Sequence, residues 1–305
     1  TRTEGLQEVV YGTCAPGVDC DRVANWQTAV IHQGTIGNAQ IEVTRDGRPR
    51  LALQDEQTLN TFRLVYVACE ANCLTAPNWQ GLGLGQNLER NDAFTEHVNH
   101  RWFALTPQGN PRMLLVLNDV SYYLACDANC TSLENPGWVA TDLDTTGQEF
   151  ANRRLFWPVL KIDANGRAHI LGTLSQPQLV YMTCAAGCDQ AANWERAILA
   201  DYNNGQGDQL PVSLLTANLD LEIDRSGYVV VAFGGVLPGE NGPQRAYLWR
   251  CAADCANLAN WNGRAFANTP SNGLDLAIDP QNRPWYSLLG KLANTAERIA
   301  QVATC

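Results

Sequence analysis

Acidic side chains alternate with apolar residues in several short segments of this 305-residue chain. Alternation of this kind places every second side chain on one face of a β-strand. Two carboxylates at a fixed separation can cleave a glycoside, one as acid and the other as base or nucleophile. We therefore mark, beside Lys161, four carboxylates as candidate ligand-binding residues: Glu42, Asp220, Glu222 and Asp275. The alternative is that these charges only contact water, because the sequence does not supply their separation.

Two tryptophans join the candidate ligand-binding set. Trp102 and Trp157 stand outside the tryptophan position that recurs along the chain, so they are the less predictable aromatic residues. An exposed indole ring can stack on a sugar, with amide or carboxylate partners beside it. Both residues lie on or beside strand-like segments, and burial in the core is the alternative for each.

One acidic segment has the start of a calcium-binding loop. In Asp142-Leu-Asp144-Thr-Thr146-Gly147, oxygen ligands alternate and a glycine allows a sharp turn, as in EF-hand loops. The twelfth position, where a bidentate Glu is expected, is Arg153. Asp142, Asp144 and Thr146 are thus candidate calcium ligands, and a solvated acidic turn is the alternative. No other cofactor is predicted to be required.

The eleven cysteines fall largely in pairs four residues apart. Pairs on separate structural units are too far apart to share a tetrahedral zinc ion, which favours local disulfides over metal sites. Disulfides require an oxidising compartment, so the sequence predicts a secreted or cell-surface protein. The predicted local bridges are Cys69–Cys73, Cys126–Cys130, Cys184–Cys188 and Cys251–Cys255.

Net charge and hydropathy exclude two classes of partner. The formal net charge is −10, whereas nucleic-acid binding needs a basic face. The sequence has no apolar run of the roughly 20 residues that a membrane-spanning helix needs, and no membrane insertion is predicted. It also shows no signal-peptide core at the start, so we take Thr1 as the start of a mature or trimmed chain.

A repeat positions all of these residues. Segments of the form Tyr-x-x-Cys recur with a second cysteine and then a tryptophan, namely Trp26, Trp79, Trp138, Trp194 and Trp261. Between them recurs a turn such as Ile-Asp163-Ala-Asn-Gly166, flanked by alternating apolar residues. The pattern predicts two hairpins per period, the turn residue capping its own loop. The tyrosines and repeated tryptophans are predicted to form core.

Four short antiparallel strands per period, without a helical pattern, predict an all-β five-bladed β-propeller. We expect a single domain over residues 1–305, with N-terminal strands in residues 1–35 that close the ring. The expected blades are 36–90, 91–148, 149–204, 205–268, and 269–305 completed by the N-terminal strand. A pair of β-sandwiches is the rival architecture, but it would not repeat one pattern five times.

The repeated motifs resemble those of secreted bacterial propeller proteins with a Cys-x-x-x-Cys pair in each blade. The Asp-x-x-Gly hairpin is similar to the first turn of NHL-type blades, within the wider group of NHL/BNR-like propellers. It is one residue longer than the Asp-box motif. This resemblance spans nearly the whole chain but implies architecture only, because propellers support many unrelated functions.

The two ends of the chain do not match the repeat evenly. Residues 26–31 form an unpaired fourth strand, which we expect to complete the last blade. Cys20 then pairs with Cys305 across the ring closure, and Cys14 is the odd cysteine. A local Cys14–Cys20 bridge is the alternative. The surplus strand Leu6 to Cys14 has a free edge that could pair with another copy of the chain, giving a homo-oligomer or filament.

The sequence as a whole predicts a secreted, non-enzymatic binding or structural module that binds a glycan or a protein. The alternative is a glycoside-acting enzyme that uses carboxylates in the central channel. The two hypotheses differ in whether acidic side chains from different blades come together.

Overall fold

The computed structural model describes residues 7–56, 61–85, 88–89, 101–117, 120–143, 155–174, 178–201, 219–235, 245–267, 271–291 and 298–304. Within these ranges the regular structure is almost entirely β-strand, which confirms the all-β prediction. The exceptions are short 3₁₀ turns before the repeated tryptophan position, at Val23–Asn25, Ala76–Asn78, Ala191–Asn193 and Leu258–Asn260.

The described strands form five antiparallel sheets in chain order. Sheet 1 contains β1 (Gln7–Cys14), β2 (Trp26–Val43), β3 (Pro49–Glu56), β4 (Thr61–Cys69), β5 (Trp79–Gly83) and β6 (Leu88–Glu89). Sheet 2 contains β7 (Phe103–Leu105), β8 (Pro111–Leu117), β9 (Val120–Cys126) and β10 (Trp138–Asp142). Sheet 3 contains β11 (Leu155–Ile162), β12 (Ala168–Leu174), β13 (Gln178–Cys184) and β14 (Glu195–Asp201). Sheet 4 contains β15 (Leu219–Ile223), β16 (Val229–Gly235), β17 (Arg245–Cys251) and β18 (Trp261–Ala267), and sheet 5 contains β19 (Ser271–Ile278), β20 (Pro284–Lys291) and β21 (Arg298–Thr304).

The same tight turn joins the innermost strand of each sheet to the next strand. In sheet 3 the Gly166 N–H donates to the Asp163 carbonyl at 3.0 Å, and Asp163 Oδ1 accepts from the N–H groups of Asn165 and Arg167 at 2.8 Å each. Gly166 has φ of 86°, a left-handed conformation that glycine adopts without a steric penalty. These contacts confirm the predicted hairpin, in which the turn residue caps its own loop.

Each cysteine pair closes the loop that orients the tryptophan after it. The four predicted Cys-x-x-x-Cys bridges form, and in sheet 4 the Trp261 Nε1–H donates to the Cys255 carbonyl at 2.8 Å. Asn260, just before this tryptophan, donates through Nδ2 to the Asp254 carbonyl at 3.0 Å. The indole-to-carbonyl bond recurs at Trp26, Trp79, Trp138 and Trp194. The disulfide loop therefore fixes the indole ring by hydrogen bonds within its own sheet.

The oriented indole then packs against the sheet before it. An edge-to-face contact joins a tyrosine of one sheet to the tryptophan of the next, with ring centroids 4.9 to 5.4 Å apart. The pairs between sheets are Tyr66–Trp138, Tyr123–Trp194 and Tyr181–Trp261, and within sheet 1 Tyr11 of β1 makes the same contact with Trp79 of β5. Such pairs contribute about 0.5–1.5 kcal/mol beyond the apolar area that they bury. The paired residues are thus core, as predicted, whereas the repeated Trp26 is 46% exposed and is not.

Tyr247 departs from this pattern. The other repeated tyrosines stand three residues before the first cysteine of their pair, whereas Tyr247 stands four residues before Cys251. Because strand side chains alternate between faces, Tyr247 lies on the opposite face and stacks on Phe233, with ring centroids 5.2 Å apart. Leu248 occupies the repeated position and packs toward β19.

The predicted closure of the ring by the N-terminal strand is not what the structure shows. Residues 26–34 pair with β1, and β2 continues without a break to Val43, so both strands belong to sheet 1. Among the described residues, sheet 5 has three strands. A hairpin with the strand just before it closes a far shorter loop, at a lower entropic cost, than pairing with the other end of the chain. The closed five-bladed ring stays a prediction.

The predicted Cys20–Cys305 bridge is also wrong, because Cys20 is bonded to Cys14. Cys14 ends β1 directly opposite Trp26, as Cys69 lies opposite Trp79 in the same sheet. The loop after β1 is therefore a longer version of the other disulfide loops. Cys305, which lies outside the described residues, is left as the odd cysteine by this pairing.

Consecutive sheets pack through the strands that precede their tight turns. Strand β2 lies against β7, β7 against β11, β11 against β15, and β15 against β19. A backbone hydrogen bond also links sheets 2 and 3, because the Leu160 N–H of β11 donates to the carbonyl of Arg101, just before β7, at 2.7 Å. The sheets thus follow one another around their inner strands, as in propeller-type folds.

Candidate active site

Charged side chains from four sheets meet at the inner strands. Glu222 on β15 accepts a hydrogen bond from Lys161 Nζ on β11 at 2.7 Å and pairs with Arg101, just before β7. The Nη2 of Arg101 donates to Asp275 Oδ1 on β19 at 3.0 Å. Arg101 therefore connects sheet 2 to sheets 4 and 5. With Lys161 of sheet 3, a single network links one charged residue from each of sheets 2 to 5.

Sheet 1 adds Glu42, near the end of β2. This carboxyl is half-buried and lies within electrostatic range of Lys161, Arg101 and Glu222. Burial raises its pKa, the two cations lower it by less, and the negative charge of Glu222 raises it further. A carboxyl group with a raised pKa keeps its proton to a higher pH, as a proton donor must. We call Glu42, Arg101, Lys161, Glu222 and Asp275 the inner-strand cluster.

Three members of the inner-strand cluster share one position of the repeat. Glu42, Lys161 and Glu222 each stand two residues before the residue that begins the tight turn of their sheet. The equivalent residues of sheets 2 and 5 are Ala104 and Ala277. Equivalent positions in packed repeats lie at the same height, which explains how residues so distant in sequence come together.

Asp220 is buried and bonds to the backbone of the inner strands that carry the cluster. It is 3% exposed, and its two carboxylate oxygens accept from the N–H groups of Leu221 and Leu276, both at 2.8 Å. Gln40, at the same repeat position, accepts likewise from the Phe103 N–H of the next sheet at 3.0 Å. Burial raises the pKa of Asp220 to about 7, although Arg101 and the bonded N–H groups oppose that shift. Asp220 thus joins sheets 4 and 5 and positions their inner strands.

Exposure separates the members of the inner-strand cluster. The Asp275 side chain is 65% exposed and that of Arg101 is 36% exposed. Glu222 and Lys161 are the more enclosed pair, at 18% and 23%. A ligand therefore has access to the inner-strand cluster from the side of Asp275 and Arg101.

The structure describes the side chain of only one of the two candidate tryptophans, Trp102. The Trp102 side chain is 1% exposed and lies in the core among Tyr66, Phe103 and Leu160, so the prediction that it binds a ligand is wrong. It stands at the repeat position of Gln40 and Asp220, which bond to the next sheet, and of the exposed Asp275. The side chain of Trp157 lies outside the described residues.

The calcium prediction is not tested by the structure. Asp142 ends β10 and is partly buried, whereas Asp144 and Thr146 lie outside the described residues. Over the part of the chain that the structure describes, no three His, Cys, Asp or Glu residues form a group suited to a metal ion.

Arg101 is the cluster residue that sequence reasoning missed. It lies outside the strand, five residues before the turn residue Thr106, where the alternating pattern of β7 gives no signal. Only an indirect signal for a second cation is present in the sequence. Carboxylates gathered on the inner strands need positive charge nearby, and the single charge of Lys161 does not neutralise them.

Comparison with known proteins identifies a fold and no family. No protein-family model matches the chain, and no curated protein matches it in sequence. A solved ulvan lyase of polysaccharide lyase family PL25 matches at a TM-score of 0.55 and 9% identity, over 89% of this chain and 69% of its own. A protein of unknown function from Dyadobacter fermentans DSM 18053 matches at 0.54 and 12% identity, over 92% and 80%. The β-propeller domain of the trilobed protease from Pyrococcus furiosus matches at 0.47 and 9% identity, over 88% and 69%.

The likeness is one of fold. It supports the predicted β-propeller type of architecture, whereas the finer NHL/BNR resemblance stays a prediction. The ulvan lyase has also been solved with a bound -[GlcA(1-4)Rha3S]- saccharide. The ulvan lyase is a polysaccharide-acting enzyme, which corrects the prediction of a non-enzymatic module. The alternative, an enzyme that acts on glycosides, fits these neighbours better.

The covalent structure bears on the compartment. Five disulfides in the described residues are typical of proteins that fold under oxidising conditions, which suggests an extracellular protein. In the same residues, no helix has the length and apolar character needed to cross a membrane.

Proposed function

We propose that this protein is a secreted or cell-surface enzyme that hydrolyses glycosidic bonds at the inner-strand cluster. The observation that supports the proposal best is the network in which Glu42, Glu222 and Asp275, from three sheets, surround Arg101 and Lys161. Stability alone does not call for this arrangement, because charged residues gathered between sheets lose hydration. Grouped carboxylates in unlike environments are the usual sign of acid–base chemistry.

Glu42 is the proton donor in this proposal. Its raised pKa lets the carboxyl keep its proton to a higher pH than an ordinary glutamate, and in this form it can protonate the glycosidic oxygen as the bond to the anomeric carbon breaks. The proton moves to the leaving sugar, and Glu42 is left as a carboxylate that later recovers a proton from water. The charge that Glu42 acquires is stabilised by Lys161 and Arg101 nearby.

Asp275 is the base. It is the most exposed carboxylate of the inner-strand cluster, and its bond to Arg101 holds one oxygen in place. It is therefore placed to take a proton from the water that attacks the anomeric carbon, or to attack that carbon itself. The anomer released distinguishes the two routes, since attack by water inverts the configuration and a covalent intermediate retains it. Glu222 is a positioning residue that holds both cations.

A screen of soluble polysaccharides with reducing-end detection tests the proposal. We expect wild-type protein to release sugars from at least one polysaccharide without forming an unsaturated product. Glu42→Gln and Asp275→Asn should each lower the rate by about 10²-fold or more, as for the loss of a general acid or base. Glu134→Gln, on the exposed loop after β9, is the matched control and should leave the rate unchanged. Binding without cleavage by wild-type protein would contradict the proposal.

A further inference from the structure

The charges around the inner-strand cluster are unequal. Four carboxylates, Glu42, Asp220, Glu222 and Asp275, act on the two cations, and all three carboxylates of sheets 4 and 5 raise the pKa of Arg101 against the effect of its burial. Even with Glu42 and Asp220 protonated, the two remaining carboxylates only balance the two cations. The described residues therefore offer no surplus positive charge at this site.

Both cations are engaged by the protein itself. The two terminal nitrogens of Arg101 bond to different carboxylates, one to Glu222 and the other to Asp275. Lys161 Nζ bonds to Glu222 Oε1 at 2.7 Å, so both cations converge on the same carboxylate oxygen. A ligand carboxylate that bonds to either cation would have to share it with Glu222 or Asp275, or displace one of them.

Displacement is costly because Glu222 is enclosed. Its side chain is only 18% exposed, so loss of Lys161 or Arg101 as a partner leaves a largely desolvated charge with one cation instead of two. The displaced Glu222 or Asp275 would also lie beside the incoming carboxylate, and like charges at such distances repel strongly. A hydroxyl group of a neutral sugar can instead donate to these carboxylates and leave both ion pairs intact.

We infer that the inner-strand cluster selects neutral glycans and rejects sugars that carry a carboxylate, with Glu222 as the residue that sets this specificity. The inference rests on the proposed function and adds the class of substrate to it. It also separates this chain from its structural neighbour, the ulvan lyase solved with a glucuronate-containing saccharide. A shared fold does not fix the ligand, because the charges at the site decide which sugar is accepted.

The test compares binding to a panel of uronate-containing oligosaccharides with binding to the same oligosaccharides after reduction of their carboxyl groups. Each pair differs only in charge. We expect at least one reduced, neutral member to bind about tenfold more tightly than its acidic parent at low salt, and the gap to narrow at high salt because repulsion is screened. Tighter binding of the acidic members, or equal binding throughout, would overturn the inference.

Variants locate the effect. Glu222→Gln frees Lys161 and part of Arg101, so binding of the acidic members should improve by about tenfold. Asp275→Asn removes a more exposed carboxylate and should improve it less, and Glu134→Gln should have no effect. Near-ultraviolet circular dichroism checks that each variant folds. If Glu222→Gln does not fold, the salt dependence of binding by wild-type protein tests the inference instead.

The two proposals fail in different ways. If the protein prefers neutral sugars but cleaves none, the proposed hydrolysis is wrong and the proposed specificity is supported. If it cleaves an acidic polysaccharide and Glu222→Gln binds acidic sugars no better than wild-type protein, it is an enzyme but the proposed specificity is wrong. Absence of binding to every member of the panel counts against both.

Discussion

The ring of Trp261 meets the ring of Tyr181 edge to face, with centroids 5.1 Å apart and an interplanar angle of 71°. The two residues come from consecutive sheets, and the Trp261 indole is oriented by its hydrogen bond to the Cys255 carbonyl. A disulfide loop in one sheet thus determines how that sheet packs on the sheet before it. The same relation recurs along the chain, so it defines the repeat physically.

Trp261→Phe should lower the free energy of unfolding by about 1–2 kcal/mol. The smaller ring loses both the indole hydrogen bond and part of the contact with Tyr181. Trp26→Phe is the matched control, since Trp26 makes the same hydrogen bond but is 46% exposed, against 8% for Trp261. Urea unfolding measures both variants, and an equal loss in the two would show that the hydrogen bond alone matters.

Local repeats were predictable from the sequence. The turn at Asp163 and Gly166 and the bridge between Cys184 and Cys188 involve neighbours in the chain, and their residue types fix backbone geometry directly. The class of fold followed from counting such units.

Features that depend on the side-chain face or on distant partners were not predictable. Tyr247 resembles the repeated tyrosine but stands four residues before its cysteine instead of three, which puts it on the other face of β17. Trp102 is core because it packs among Tyr66 and Leu160, residues of neighbouring sheets that are distant in sequence. Arg101 joins Glu222 and Asp275 across more than one hundred residues, a contact that no local pattern encodes.

A peptide map under non-reducing conditions should contain a Cys14–Cys20 peptide. Cys14 ends β1 and Cys20 lies in the loop to β2, and the pairing of these strands brings the two cysteines together before any distant cysteine can reach them. Mass spectrometry before and after reduction identifies the linked peptide. Recovery of a Cys20–Cys305 peptide instead would contradict this pairing.

Cys184→Ser with Cys188→Ser should lower the free energy of unfolding by about 2 kcal/mol, as expected for a short closed loop. The loss should extend to the packing of Tyr123, because the Trp194 indole depends on the Cys188 carbonyl in that loop. Fluorescence of the folded variant measures the change around the tryptophan. If stability falls but this signal is unaltered, the disulfide acts only on the unfolded chain.

Stability should fall as pH rises from about 4 to about 7, in part because of Asp220. Its pKa in the fold is about 7 against 3.8 for the unfolded chain, so between these values the native state binds the extra proton. The contribution is fully present below pH 4, is lost above pH 7, and is at most about 4 kcal/mol at 1.36 kcal/mol for each pKa unit.

Urea midpoints measured across that pH range test this expectation. Asp220→Asn keeps an acceptor for one backbone N–H but does not titrate, so its midpoint should vary less with pH than that of wild-type protein. Asp275→Asn, at an exposed site in the next sheet, is the control and should retain the wild-type slope. A slope unchanged in Asp220→Asn would mean that Asp220 is ionised throughout.

The pH–rate profile of the proposed hydrolysis should lose activity on its alkaline side as Glu42 gives up its proton. Lys161 lowers the pKa of Glu42 and Glu222 raises it, so two variants should move this limb in opposite directions. Lys161→Met should shift it to higher pH, and Glu222→Gln should shift it to lower pH. Hydrolysis rates of wild-type protein and both variants, measured at saturating polysaccharide across the pH range, give the position of the alkaline limb in each. Opposite shifts identify Glu42 as the acid, because a change in packing or in overall rate would not reverse sign between variants. Shifts in the same direction, or none, would exclude Glu42 as the proton donor.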